Sequence, residues 1–129
     1  MLLLFLAVTS CSAASATVET KSGTSAMMFR PSICTTWSEM SCGSSVFVIG
    51  DDGVHTSLNF RDIASITING TSSKINPGGY KVTINRKNGD TLAGTIGIYV
   101  IQGHETDDPT SPTTRVGGDS ISTISFDYD

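Results

Sequence analysis

The chain is poor in the residues on which catalytic and metal-binding proteins depend. Its 129 residues include 2 histidines, 3 cysteines and 1 tryptophan. His55 and His104 stand far apart, and no Cys-x-x-Cys pair accompanies either, so a zinc site would need distant partners. No P-loop or nucleophile-elbow spacing occurs. Basic residues are also scarce, with 8 Lys and Arg against 12 Asp and Glu and a net charge of −4. A nucleic-acid binder would carry a basic stripe, and a peripheral membrane protein a polybasic patch. The only basic cluster, Lys81, Arg86 and Lys87, flanks a turn and reads as a solvated edge. Aromatics are 7% of the chain, so a core must rest on Ile, Val and Leu. These shortages predict a protein that is not an enzyme, holds no cofactor or metal, and does not bind nucleic acid.

Long hydrophobic runs are missing as well. The longest, Leu2 to Val8 ("LLLFLAV"), falls short of the roughly 20 apolar residues that span a bilayer. It matches the apolar centre of a secretory signal peptide. Two processing sites follow it. Ala14-Ser15-Ala16 has the A-x-A form of a cleavage signal. Val8-Thr9-Ser10-Cys11 resembles the bacterial lipobox, in which an aliphatic residue and two small residues precede a cysteine that becomes the lipidated N-terminus. The resemblance covers four residues. It implies a lipid anchor on Cys11 and a cell-envelope address. Ser12 is not the aspartate that tends to hold such proteins at the inner membrane, so the outer membrane is the implied one. Cutting after Ala16 would instead release a soluble secreted binding or inhibitor protein. Either cut leaves Cys34 and Cys42 as an even pair in an oxidising compartment, where disulfides persist. Residues 12–26 are mostly Ser, Ala, Thr and Gly with scattered charge. This composition predicts a flexible tether. The expected organisation is a signal peptide over 1–10, a tether over 11–26 and a single β-domain over 27–129.

From Ser44 onward the apolar period is two. Val54, Thr56, Leu58 and Phe60 alternate with polar residues, as do Tyr80, Val82 and Ile84. This is the pattern of half-buried strands. Facing residues on paired strands share a side of the sheet. That rule selects three-residue loops, Asp51-Asp52-Gly53 and Lys87-Asn88-Gly89, over two-residue ones. They place Val48 opposite Thr56, Val46 opposite Leu58, Ile84 opposite Leu92 and Tyr80 opposite Ile96. A slip of one residue would turn the apolar set outward. Residues 46–60 also align on 82–96. Each hairpin is followed by a strand of the form Ile-x-x-Ile-x-apolar, at Ile63, Ile66 and Ile68 and again at Ile121, Ile124 and Phe126. Two strand-turn-strand-strand units predict an all-β fold, a small six-stranded antiparallel barrel or sandwich. Most of the extra length of the second unit falls in residues 102–119, which read as one long loop. The stretch "NGDTLAGTI" (88–96) is similar to the bent strands of Sm-like and SH3-like barrels. The resemblance covers nine residues and implies a barrel in preference to a flat sandwich.

Candidate contact residues lie in two places. Thr36-Trp37-Ser38-Glu39 has capping-box spacing, and Gly43 limits any helix to about one turn. Folding back there would bring Cys34 and Cys42 within disulfide range. Trp37 is then either a plug over the open end of a barrel or an anchor offered to a ligand. His104, Glu105, Asp107 and Asp108 form an acidic cluster without EF-hand spacing, so they suit a basic partner better than a calcium ion. Gly118-Asp119-Ser120 has the Gly-Asp-Ser order of serine proteases but lacks the glycines that follow it there, and Ser120 enters an apparent strand. The functional expectation is a non-enzymatic envelope lipoprotein. Its lipid anchor reaches the membrane, and its β-domain binds another envelope protein.

Overall fold

A computed structural model describes residues 14–128 of the chain. The protein is all-β. Eleven strands are joined in one antiparallel sheet that curls into an open half-barrel. In chain order they are β1 (Ser15–Thr20), β2 (Ser25–Cys34), β3 (Cys42–Gly43), β4 (Ser45–Gly50), β5 (His55–Asn59), β6 (Ile63–Thr71), β7 (Gly79–Arg86), β8 (Thr91–Gly97), β9 (Val100–His104), β10 (Thr113–Gly117) and β11 (Ile121–Asp127). The spatial order is β10-β9-β2-β1-β11-β6-β7-β8-β4-β5, with β3 paired to β2. Short 3-10 turns, Phe60–Asp62 and Gly118–Ser120, precede β6 and β11.

Both inferred hairpin registers are present. Val48 faces Thr56 and Val46 faces Leu58, while Ile84 faces Leu92 and Tyr80 faces Ile96. Gly53 and Gly89 take φ of 86° and 95°, the left-handed conformation that closes such loops at little steric cost. Gly94 serves a different need. A Cβ there would stand 2.5 Å from the Ile49 carbonyl oxygen. The resemblance to bent barrel strands therefore falls on β8 at the point where its backbone presses against β4.

The expected tether is not one. Residues 15–20 form β1, which lies inside the sheet between β2 and β11. Ala16 and Val18 are 1% and 0% exposed. The composition of 12–26 conceals a hairpin. "TKSGT" (20–24) repeats the chemistry of "RKNGD" (86–90), and Gly23 has φ 92°. In both loops the glycine N–H donates to the residue three back, Gly23 to Thr20 O and Gly89 to Arg86 O, each at 3.0 Å. Small residues suffice in β1 because its partners supply the bulk. Ala16 sits between Met28 and Phe126, and Val18 faces Ile124. The expected signal peptide and the lipidation site at Cys11 lie outside the described residues.

The six-strand count and the assignment of the repeat also need correction. The duplication is real but larger, and it relates different hairpins. Ile66 pairs with Ile124, with Thr67–Thr123 and Ser65–Ser125 on either side. This pairing is symmetric about a two-fold axis. The axis carries β1–β2 onto β7–β8, with Val18 matching Ile84 and Ala26 matching Leu92. It carries β4–β5 onto β9–β10, so Val46–Leu58 corresponds to Ile101–Val116. Hydrogen bonds outside the ladders obey the same rule. Lys21 N donates to Ser120 O and Lys87 N to Asp62 O, both at 2.9 Å; Phe60 N donates to Ser44 O and Gly118 N to Tyr99 O. The equivalent of hairpin 46–60 is thus 101–118. The resemblance of 46–60 to 82–96 reflects the shared three-residue loop. Residues 102–119 are not one loop. They contain the end of β9, all of β10 and a 3-10 turn, with only residues 105–112 as the connection.

The halves exchange strands. β2 of the first half pairs with β9 of the second, and β4 of the first with β8 of the second. The core runs along the inner face and includes Val18, Met28, Ile66, Ile84, Ile96, Ile101, Ile121 and Ile124. Phe60 stacks on Phe126 with ring centroids 4.5 Å apart.

Two outcomes are expected. A variant beginning at Ala14 should keep a single cooperative thermal transition, whereas one beginning at Met27 should lose it, because β2 and β11 would flank an empty position. Ile66→Ala and Ile124→Ala should each cost about 2–5 kcal/mol in denaturant titrations. Because the two residues touch, the double variant should depart from additivity.

Candidate functional site

The loop between β2 and β4 is held from three sides. Cys34 and Cys42 face each other across β2 and β3 and are joined by a disulfide. Ser41 Oγ donates to Ser38 O at 2.7 Å and accepts from Thr36 N at 3.0 Å. Ser38, rather than Thr36, caps the 3-10 turn Glu39–Ser41, accepting from Met40 N. The expected capping box is therefore replaced by a tighter turn. The result is a rigid platform carrying Trp37 and Met40 into solvent. Trp37 is 82% exposed, so it does not plug the end of a barrel.

Trp37 forms one wall of an open groove of about 1010 Å³. Tyr99, Ile98 and Tyr80 line it with Trp37, and Arg115 and Asp119 bring opposite charges to it. Tyr99 is half exposed; Tyr80 and Ile98 are buried. Burial raises the Tyr80 pKa above its ordinary 10.0, and the neighbouring Asp119 carboxylate raises it further. Tyr80 is therefore a neutral hydroxyl at the groove throughout the physiological range. Sites that combine apolar walls with a few polar groups of this kind are typical of ligand recognition.

The pseudo-two-fold axis supplies an internal control. The positions equivalent to Tyr99, Arg115, Gly118 and Asp119 are Ser44, Ser57, Phe60 and Arg61. In the first half the buried Phe60 side chain occupies the place where the second half has Gly118, which lines the groove. A Cβ on Gly118 would fall 2.3 Å from Ile98 O. The stapled loop is also one-sided: residues 35–44 join β2 to β4, while only Ile98 and Tyr99 join β8 to β9. The groove is a departure from the symmetry of the scaffold and does not follow from it.

The acidic cluster lies elsewhere. On β9, Val100 pairs with Cys34 near the groove, and His104 pairs with Phe29 at the other end. A bulge in β2 separates these pairings, with Arg30 at φ 53°. That turn sends the Arg30 side chain to Asp107, 3.3 Å from its carboxylate and 3.1 Å from its backbone oxygen. Asp108 accepts from the backbone N–H and the hydroxyl of Thr110. These bonds hold its carboxyl below the ordinary 3.8. The His104 ring lies 3.2 Å from Ser111 O. The cluster is thus largely engaged in shaping its own loop, leaving Glu105 as its freest acid. The structure does not bring His104, Glu105, Asp107 and Asp108 together with Trp37.

Arg115 and Asp119 lie within residues 102–119, where one long loop was expected, and Tyr99 lies in the two-residue connection between β8 and β9, inside an apolar run that carries no site signal of its own. A usable signal was the break in symmetry, a glycine at 118 where the first unit has Phe60. Among the described residues no group of three or more His, Cys, Asp and Glu could hold a metal ion, and no helix is long and apolar enough to cross a membrane. No protein-family model matches the chain, and no curated protein matches it either.

Phenolate absorbance should show Tyr80 ionising above pH 10. Asp119→Asn should bring the value part of the way back, burial being the larger cause. Because the folded-state pKa is raised, the neutral phenol favours the fold below the ordinary value, and that contribution is lost as pH rises through the folded one. Cys34→Ser with Cys42→Ser should cost up to about 2.5 kcal/mol for a loop this short. The sheet should survive, and Trp37 fluorescence anisotropy should fall.

Proposed function

We propose that the chain is a non-enzymatic cell-envelope lipoprotein, anchored through Cys11 at the outer membrane, whose β-domain binds another envelope component in the Trp37 groove. The observation that carries the binding reading is the exposed Trp37 on a disulfide-stapled loop, beside an open groove lined by Tyr99 and Arg115. Exposed aromatic residues are common anchors of recognition, and the staple fixes the backbone that presents Trp37. The Cys34–Cys42 disulfide fits an oxidising compartment.

The position of β1 favours lipidation over the alternative soluble form. Cutting before Cys11 leaves β1 whole. Cutting after Ala16 removes Ser15 and Ala16, which pair with Asp127 and Phe126 on one side and with Phe29 and Met28 on the other. With β1 beginning at Ser15, a lipid on Cys11 would hold the domain close to the membrane surface.

Mass spectrometry of protein from the native host should find a diacylated or triacylated Cys11; a free Thr17 would overturn the anchor. For the groove, a photo-reactive benzoylphenylalanine at Thr36 should cross-link one envelope component in living cells. Trp37→Ala in the same background should abolish the cross-link while leaving the thermal midpoint unchanged. A cross-link indifferent to Trp37 would overturn the binding site.

A further inference from the structure

Among the described residues the ten-strand path of the sheet ends at β5 and β10, and the two-residue β3 stands beside β2 off that path. Exposed edges offer unpaired N–H and C=O groups to any extended chain. The ladder shows which residues present them. Glu105 N donates to Pro112 O, and Gly118 N to Tyr99 O, at the two ends of the β9–β10 pairing. In an antiparallel ladder hydrogen-bonded pairs alternate with non-bonded ones. The bonded pairs are therefore Gly103–Thr114 and Ile101–Val116. Thr113, Arg115 and Gly117 turn both backbone groups away from β9, toward the open side.

Two of those three, Arg115 and Gly117, also line the groove. The equivalent edge residues of β5 are His55, Ser57 and Asn59, which bring neither a lysine nor an arginine to that edge. The β10 edge combines free backbone groups, an adjoining cavity with Trp37 and Tyr99, and a cation. Arg115 makes no salt bridge among the described residues. The Gly117 surface is open, since a Cβ there would meet only Asp119 Oδ1, at 3.2 Å.

Resting on the groove as the binding site, we propose that its ligand is an extended peptide segment of a partner protein, added to the sheet as a strand beside β10. Backbone bonds to Arg115 and Gly117 supply register, and alternate side chains supply selectivity. The residue facing Arg115 shares its side of the sheet and is acidic. Two positions along, an apolar or aromatic side chain enters the groove between Trp37 and Tyr99. The recognised pattern is acidic-x-apolar in a β-prone segment. A glycan would use Trp37 and Tyr99 as stacking surfaces but would have no use for two outward-facing amides spaced as in a strand.

The test pans the full folded domain against a random dodecapeptide library displayed on phage, then measures synthetic versions of the enriched peptides. Peptides with the acidic-x-apolar pattern are expected, with amide chemical-shift changes centred on Thr113, Arg115 and Gly117. Arg115→Pro removes an N–H that makes no bond to β9 together with the guanidinium, so the fold should persist, and binding should weaken about tenfold or more beyond the loss seen in Arg115→Ala, which keeps the N–H. Arg115→Glu retains the N–H and should reverse the preference from acidic to basic at the facing position. No enriched peptide, or peptides indifferent to both variants, would overturn strand addition. Chitohexaose serves as the glycan probe. If it quenched Trp37 where peptides did not, strand addition would fail while the groove remained the binding site. Peptides bound equally well by Trp37→Ala and Arg115→Pro would overturn both readings.

Discussion

Ile66 and Ile124 face each other at the centre of the sheet, and the pairing of β6 with β11 around them sets the arrangement of everything else. Both side chains are fully buried. Because the contact is nearly symmetric in sequence as well as geometry, it places two similar five-strand halves back to back. Each half then borrows. β9 completes the sheet begun by β1 and β2, and β4 completes the one begun by β7 and β8. Neither half of the chain contains a finished sheet of its own, so the domain is one cooperative unit despite its internal repeat. Many of its pairings join residues distant in sequence, the condition under which folding is slow.

A symmetric scaffold makes its asymmetries informative. Physical chemistry asks much the same of both halves: the same three-residue loop in the β1–β2 and β7–β8 hairpins, the same 3-10 turn before the last strand, the same N–H from a loop lysine to that turn. Where the halves differ, the difference marks what one half does and the other does not. Phe60 fills its half and stacks on Phe126, whereas at Gly118 the Ile98 backbone packs so closely that only a glycine fits. Ser44 and Ser57 are replaced by Tyr99 and Arg115. A ten-residue stapled connection stands where two residues suffice in the other half. All three departures meet at one groove, which is why the functional argument rests there and not on the acidic loop.

The acidic loop shows how a surface feature can be spent on structure. Its length and charge suggested a contact face. In the fold, Asp107 answers Arg30, which a bulge and a left-handed backbone turn toward it, and Asp108 holds Thr110. A non-glycine residue at positive φ is unfavourable by about 1–2 kcal/mol, and the ion pair helps to offset that. The pair is exposed on both sides, so it is worth at most about 1 kcal/mol. Its role is to set the shape of the β9–β10 connection.

The all-β class, the two hairpin registers and the Cys34–Cys42 pair were legible in the residues, because each depends on neighbours in sequence. Alternation fixes which side of a strand is buried, and a glycine at the third loop position fixes the turn. The composition of residues 12–26 misled for the same reason. Small residues look disordered until it is known that Met28, Phe126 and Ile124 will surround them. The repeat was visible but matched to the wrong hairpin, since local pattern is nearly alike in every three-residue loop and only pairing distinguishes them. Of the groove, the sequence offered Trp37 and the glycine at 118 but not their neighbours. Trp37, Tyr80, Tyr99 and Arg115 are spread over 79 positions, and strand exchange alone makes them neighbours. Local sequence determined the strands and their turns through short-range sterics and burial. The tertiary structure decided the site, because which strands pair depends on the burial of the whole sheet.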